Sequence, residues 1–392
     1  MNLFNVQDKV THSTIRTINP WYGRKWFLFV AAAAATLWAV IRVGPRIPFP
    51  GAWYSGERWP YPSLDELQAY KRTSPVGYIL AEFFRLDQSP LLVAFYFCAA
   101  LASSLLIALW VWRELKGSKQ RSRGFRIAIL APVTGVLFLT LGGYDPFTAL
   151  GWALALFAWS SNSRALLAMA GIYLGFQHFE QSALMAVSLT LATIALRIAT
   201  PSTKTSSGST RYSPIWLLPG IIGGKLFLTV VLMFQGVDPL DGRGFWVASS
   251  DWLSFAVIGS VNFGPIFMYS LFASVWAVVF LAFLILEGSQ NRILLMLAMS
   301  IPVLMSIVTL DHTRVFVMMT VPLVAIFIVY VLSSPRIEVF SPLPILIELL
   351  AWVMVPITIQ GTSSVYVDSL NPLDMTIIFL RQLLGATPLI GG

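Results

Sequence analysis

Asp65 and Glu66 are adjacent carboxylates in the stretch Tyr61-Pro62-Ser63-Leu64-Asp65-Glu66-Leu67-Gln68-Ala69-Tyr70. A carboxylate can take a proton from an attacking hydroxyl, so this pair is the candidate acid–base centre. Neighbouring side chains on a helix diverge by about 100°, so the two do not address one atom. One serves as base while the other caps the helix or meets a cation. Ser63 with Glu66 three residues on also makes a capping box, a purely structural use of the same residues. Lys71 and Arg72 follow immediately and supply positive charge for an anionic ligand.

Further candidates lie at helix ends. Tyr144 and Asp145 sit in Gly143-Tyr144-Asp145-Pro146, and Gly236-Val237-Asp238-Pro239 repeats the Gly-x-Asp-Pro form. Asp followed by Pro is a common helix start, which gives both motifs a structural reading as well. His178 and Glu180 occur in Gln177-His178-Phe179-Glu180, and Asp311, His312 and Arg314 in Asp311-His312-Thr313-Arg314. Arg314 offers a planar fork that matches phosphate oxygens, or a local pair with Asp311. The two His and two carboxylates could hold a divalent metal, but no enforcing spacing such as His-Glu-x-x-His is present. No cofactor is therefore expected. Arg243 lies in a polar connection with Asp238, Asp241 and Asp251, and Lys225 falls inside an apolar run. A charge within a span calls for a partner carboxylate or a lipid phosphate.

The elements that must position these residues are set by composition. The 392 residues are 57% hydrophobic and 11% charged, with 14 Trp, 27 Phe and 12 Tyr, and mean hydropathy is +0.74. Soluble domains carry about a quarter charged residues. The apolar runs are continuous rather than alternating, which excludes a β-barrel. The chain reads as an all-α polytopic membrane protein of about 11 transmembrane helices. A single cysteine, Cys98, excludes an internal disulfide and a Cys-based metal site. The net charge of +8 does not indicate nucleic acid, because the basic residues cluster as the positive-inside rule requires.

Residues 1–25 form a cytoplasmic arm, and 26–392 a single membrane domain opened by a span at 26–43. The first outer loop, 44–88, carries two amphipathic surface helices, one from Ser63 and one from Val76 to Phe84. Spans follow at 89–112, 127–142, 146–160, 165–177, 181–197 and 214–234. A half-span covers 254–264, and further spans cover 265–286, 293–309, 314–332 and 343–359. Residues 198–213 are a flexible cytoplasmic loop and 360–392 an outer tail. Arg113, Lys116, Lys119, Arg121, Arg123 and Arg126 mark the cytoplasmic side. With that orientation Asp65, Glu66, Asp145, Glu180, Asp238, Asp241, Asp251 and Asp311 all fall outside. So do Arg42, Arg46, Arg58, Lys71, Arg72 and Arg85, six cations that would tolerate a phosphate. The site is expected to face the outside or periplasm of a plasma or inner membrane.

An acidic pair in the loop after the first span, Asp65-Glu66 with Tyr70, followed by Ser74-Pro75-Val76-Gly77-Tyr78, resembles the GT-C superfamily of polytopic glycosyltransferases. Gly143-Tyr144-Asp145-Pro146 looks like a Gly-x-Asp/Asn turn of several of those enzymes. The resemblance covers mainly residues 26–200. It implies transfer of a sugar from a polyprenyl-phosphate-linked donor to a lipid-linked or glycan acceptor, with membrane lipids as the other partners. It assigns Asp65, Glu66 or Glu57 as base, Arg314, Lys71 and Arg72 as phosphate contacts, and Asp145, His178 and Glu180 to the sugar. A polymerase or ligase using polyprenyl-pyrophosphate glycans is the nearest alternative. A lipid or solute transporter or flippase is the alternative from another class.

Overall fold

The computed structural model describes residues 25–45, 59–60, 72–86, 89–199, 212–238, 268–307, 312–339, 342–356, 359–360, 364–365 and 372–385. These form an all-α bundle. Its helices are α1 Lys25–Ile41, α2 Val76–Phe83, α3 Ser89–Glu114, α4 Arg121–Ile129, α5 Pro132–Leu139, α6 Asp145–Ser160, α7 Arg164–Ala199 and α8 Leu217–Phe234. After these come α9 Trp276–Ile285, α10 Ser289–Ile307, α11 His312–Ser333, α12 Pro335–Val339, α13 Pro342–Val353 and α14 Pro372–Leu383. The strand pairing among the described residues is one short antiparallel match of Ile359–Gln360 with Ser364–Val365. Six helical segments of the described residues are long and apolar enough to cross a membrane. The protein is thus an all-α membrane-embedded chain. Six is fewer than the expected eleven, partly because α1, α6 and α13 are shorter than the ~20 residues of a straight crossing. The expected arm, the first surface helix at 63–70, most of the loop 198–213 and the half-span 254–264 lie outside the described residues.

Proline and glycine punctuate the bundle. The single span expected at 127–142 is two helices, because Pro132 cannot donate to the α4 ladder and opens α5 from an extended Ala131. Gly142 (φ 91°) turns the chain into α6. Gly236 (φ 72°) closes α8, where its N–H and that of Val237 donate to the Met233 and Leu232 carbonyls. Gly236 thus closes α8 at the limit expected for the span 214–234, and the helix start that Asp238-Pro239 suggested runs beyond the described residues. The span expected to run from 343 to 359 stops at Val353.

α7 is not straight. His178 leaves the helical conformation (φ −163°, ψ 82°). The Ser182 hydroxyl donates to the Leu174 carbonyl at 3.3 Å. In a straight helix those residues would stand about 12 Å apart. The chain therefore folds back at His178, as expected for the connection between residues 177 and 181.

The first arm of α7 packs along α8 at backbone contact. Gly171 and Gly175 face Gly220 and Gly224, two Gly-x-x-x-Gly pairs. A Cβ on Gly175 would lie 2.6 Å from the Ile221 carbonyl carbon, and one on Gly224 would lie 2.7 Å from the Phe176 nitrogen. Small residues at such spacing let backbones approach where no hydrophobic drive separates helix from lipid. The contacts pair low numbers with low and high with high, so the two run parallel.

A second structural node surrounds Arg42, which is buried. Its guanidinium donates to the Ala351 and Met354 carbonyls at 2.7 and 3.0 Å and to the Leu130 carbonyl. These are carbonyls left without helix partners at the ends of α13 and α4, where the helix dipole favours a cation. Arg42 is a staple between α1, α4 and α13. It is not the phosphate-tolerating outer cation suggested by its place in the sequence.

Candidate functional site

One end of the bundle gathers the N-terminus of α6, the corner of α7, the N-terminus of α11 and the start of α2. Arg314, in the first turn of α11, places its Nε 3.6 Å from Asp145 Oδ2. Its Nη2 donates to the Tyr144 hydroxyl at 3.2 Å, and its guanidinium carbon lies 5.5 Å from the Tyr144 ring centre. The Tyr144 ring also meets the His178 imidazole, with centroids 5.2 Å apart. Gln177 ties the corner in place: its amide nitrogen donates to the Tyr144 carbonyl at 3.1 Å, and its amide oxygen accepts from the Val76 N–H at 3.0 Å. Thr140 donates to Asp145 Oδ2 at 3.4 Å.

The electrostatics follow from helix polarity. Asp145 is in the first turn of α6, where the positive end of the dipole favours a carboxylate. Arg314 is also in a first turn, where a cation is disfavoured. Asp145 compensates it. Both are secluded, with side-chain exposures of 4% for Asp145 and 12% for Arg314, so their attraction is little screened.

A second pair adjoins the first along the chain. Lys225 Nζ lies 3.6 Å from Glu180 Oε1 and 5.7 Å from the Phe179 ring centre. The partner carboxylate that the sequence demanded for Lys225 is thus Glu180.

Two of the surrounding helices run past the cluster. From Lys225, α8 continues to Phe234, roughly 13 Å at 1.5 Å per residue. Tyr96 of α3 packs edge-on against Phe147 in the first turn of α6, and α3 continues to Ser89, roughly 10 Å more. The cluster itself is enclosed: Asp145 and His178 are buried, and α2 lies over the start of α6, where a Cβ on Gly77 would lie 2.8 Å from the Phe147 ring and 3.0 Å from the Tyr96 hydroxyl.

Four of the candidates named from sequence, Tyr144, Asp145, His178 and Arg314, therefore come together, and Glu180 and Lys225 pair beside them. Arg72 is buried and held in the loop: its Nε donates to the Pro60 carbonyl at 3.1 Å, and its own carbonyl accepts from Trp59 Nε1 at 3.3 Å. Arg72 thereby ties its own position to Pro60. Trp59 packs against Leu228, Leu232 and Val237 at the end of α8. Asp65, Glu66, Lys71, Arg243 and Asp311 lie outside the described residues, as does the His312 side chain. Among the described residues no three His, Cys, Asp or Glu side chains are grouped as a metal ion would need.

Gln177 was not singled out in the sequence. Its signal was available: an amide in an apolar helix end must find partners for all its donors and acceptors.

The opposite end of the bundle is built from aromatic–basic contacts. Trp110 Nε1 donates to the Ser160 hydroxyl, which donates to Glu114 Oε1 at 2.6 Å. Arg164 lies over the Tyr212 and Trp216 rings at 4.4 and 4.8 Å. Comparison with protein-family models, curated proteins and solved structures finds no match.

Proposed function

We propose that this protein is an integral-membrane glycosyltransferase that moves a sugar from a polyprenyl-phosphate-linked donor to a lipid-linked or glycan acceptor. The observation that carries the reading is the Arg314–Asp145–Tyr144–His178 cluster, a fixed cation with a carboxylate, a phenol and an imidazole at the end of the bundle opposite the basic turns. A cation held at that end is placed to meet a membrane-borne phosphate, while a hydroxyl acceptor comes from the aqueous side. The acceptor oxygen attacks the anomeric carbon as the bond from that carbon to the phosphate oxygen breaks. The hydroxyl proton passes to Asp65 or Glu66, and Arg314 balances the charge left on the polyprenyl phosphate. Asp145 and Tyr144 hold the guanidinium in place, and His178 and Glu180 border the sugar. The basic residues of the opposite end argue that the cluster lies at the outward end, in a chain of about eleven crossings with its N-terminus inside.

The Lys225–Glu180 pair favours one other reading, since charges along a lipid-facing helix also occur on transport pathways. Reconstitution with polyprenyl-phosphate sugars separates the two. The proposal expects sugar transfer that is lost in Asp65→Asn or Glu66→Gln and reduced at least 100-fold in Arg314→Gln, the loss of one charge-stabilising group. Full transfer by both well-folded carboxylate variants overturns the assignment of the base. No transfer from any donor, together with substrate-dependent flux into liposomes, establishes transport instead.

A further inference from the structure

At the basic end, the turn from α3 to α4 and the neighbouring face of α13 collect Arg113, Lys116, Lys119, Arg121, Arg123 and Arg126 against Glu114 and Glu348 alone. Their side chains are not equivalent. Arg123 Nε bonds to Glu348 Oε2 at 2.8 Å, and Arg126 Nε takes its other oxygen. One carboxylate shared by two guanidiniums leaves net positive charge at that point. Arg121 lies flat on the Trp112 ring at 4.4 Å and donates to the Trp112 carbonyl at 2.9 Å, which fixes its position at the end of α3. Lys116 and Lys119 are exposed and make no ion pair or side-chain hydrogen bond with any described residue. The turn that carries them is ordered by backbone bonds from Lys116 to Arg113 and from Ser118 to Leu115.

Beside this cluster, α13 presents Ile345, Leu346 and Leu349 to the outside, each about half exposed. Ile345 and Leu349 flank Glu348 on the same helix. A cationic patch thus stands beside an exposed apolar face, joined to it through the Arg123–Glu348 and Arg126–Glu348 bonds. A molecule that fits both at once has an anionic head and an apolar tail.

We propose that the α3–α4 turn and α13 form a docking site for the headgroup of an acidic phospholipid in the leaflet at this end of the bundle. Its phosphate meets Lys116, Lys119 and the Arg121 guanidinium, and its chains lie along Ile345, Leu346 and Leu349. The site is independent of the Arg314–Asp145 cluster at the other end and of the transfer reaction.

The test is native mass spectrometry of the full chain in detergent, titrated with phosphatidylglycerol or with phosphatidylcholine of the same chains. Phosphatidylglycerol is expected to be retained in preference. A surface cation contributes a factor of about 5 to such binding, so Lys116→Gln with Lys119→Gln should weaken retention roughly 30-fold while leaving phosphatidylcholine unchanged. Both lysines are exposed, so the variant is not expected to unfold, and its melting temperature checks that. Leu346→Ser with Leu349→Ser should weaken the same lipid without altering charge. Equal retention of the two lipids, or an unchanged affinity in the lysine variant, overturns the proposal. So does displacement of the lipid by millimolar glycerol phosphate, which would mark a site for a free phosphate.

Discussion

Gly175→Ala tests whether close backbone contact holds the first arm of α7 to α8. The added methyl would lie 2.6 Å from the Ile221 carbonyl carbon and closer still to its oxygen. Contacts of that kind ordinarily begin near 3.4 Å, and the obstacle is backbone, so α7 and α8 must part by more than 1 Å. Overpacking of this degree costs about 1–3 kcal/mol, and the loss of close interhelical contact along both Gly-x-x-x-Gly pairs adds to it. Gly223 supplies the control. It lies in the same helix, but a Cβ there meets nothing within 4 Å. Gly223→Ala should therefore be neutral or gain up to about 1 kcal/mol from helix propensity. Equilibrium unfolding in mixed detergent with a rising fraction of dodecyl sulfate gives both values. A Gly175→Ala variant as stable as the parent would refute the packing argument. Equal destabilisation by Gly223→Ala would show that glycine itself, rather than the close approach, matters in α8.

Other outcomes follow from the buried charges. Arg42→Met removes the donor to three helix-end carbonyls and should cost at least about 3 kcal/mol, since each unsatisfied carbonyl costs about 1–3; the same detergent titration reads it. Glu348→Gln leaves Arg123 and Arg126 facing each other in a partly buried site and should cost roughly 3 kcal/mol, with recovery on adding Arg126→Gln as the check. Asp145→Asn deprives Arg314 of its charge partner at 3.6 Å. Transfer activity should fall, while Asp145→Glu recovers part of it, and a variant with unaltered kcat and KM would remove Asp145 from the site.

What the sequence revealed differs sharply between the two levels. Helix existence was legible, because long apolar runs bounded by Pro, Gly and charge admit few alternatives in lipid. α2 was recognised from its amphipathic spacing, and α3, α8 and α11 fall within a few residues of their expected limits. The α4–α5 break was signalled by Pro132 but masked by uninterrupted hydropathy across it. Partnerships were not legible. Asp311 stands three residues before Arg314, so the sequence offers it as a local partner, and it lies outside the described residues. The structure also pairs Arg314 with Asp145 from a distant helix, which spacing along the chain does not suggest. Arg42 shows the same limit. By sequence it is a cation in an outer segment, but its guanidinium donates to backbone carbonyls that only the assembled fold brings within reach.

The placement of the corner in α7 gives these partnerships a common cause. If the first arm of α7 continued straight to the full height of α8, Gln177 and His178 would still be helical and no chain reversal would stand beside Tyr144. Folding back at His178 instead frees a helix end inside the bundle. Gln177 and Ser182 are then needed to satisfy the backbone groups and neighbours so exposed, and both are buried and bonded. The same corner carries Glu180 to the level of Lys225. Because the Gly-x-x-x-Gly contacts lock the first arm of α7 to α8, the height of this corner is fixed by packing rather than by the polar residues themselves. The position of the cluster is thus a consequence of a short helix arm held in register by glycines, which places Gln177, His178 and Glu180 beside their partners.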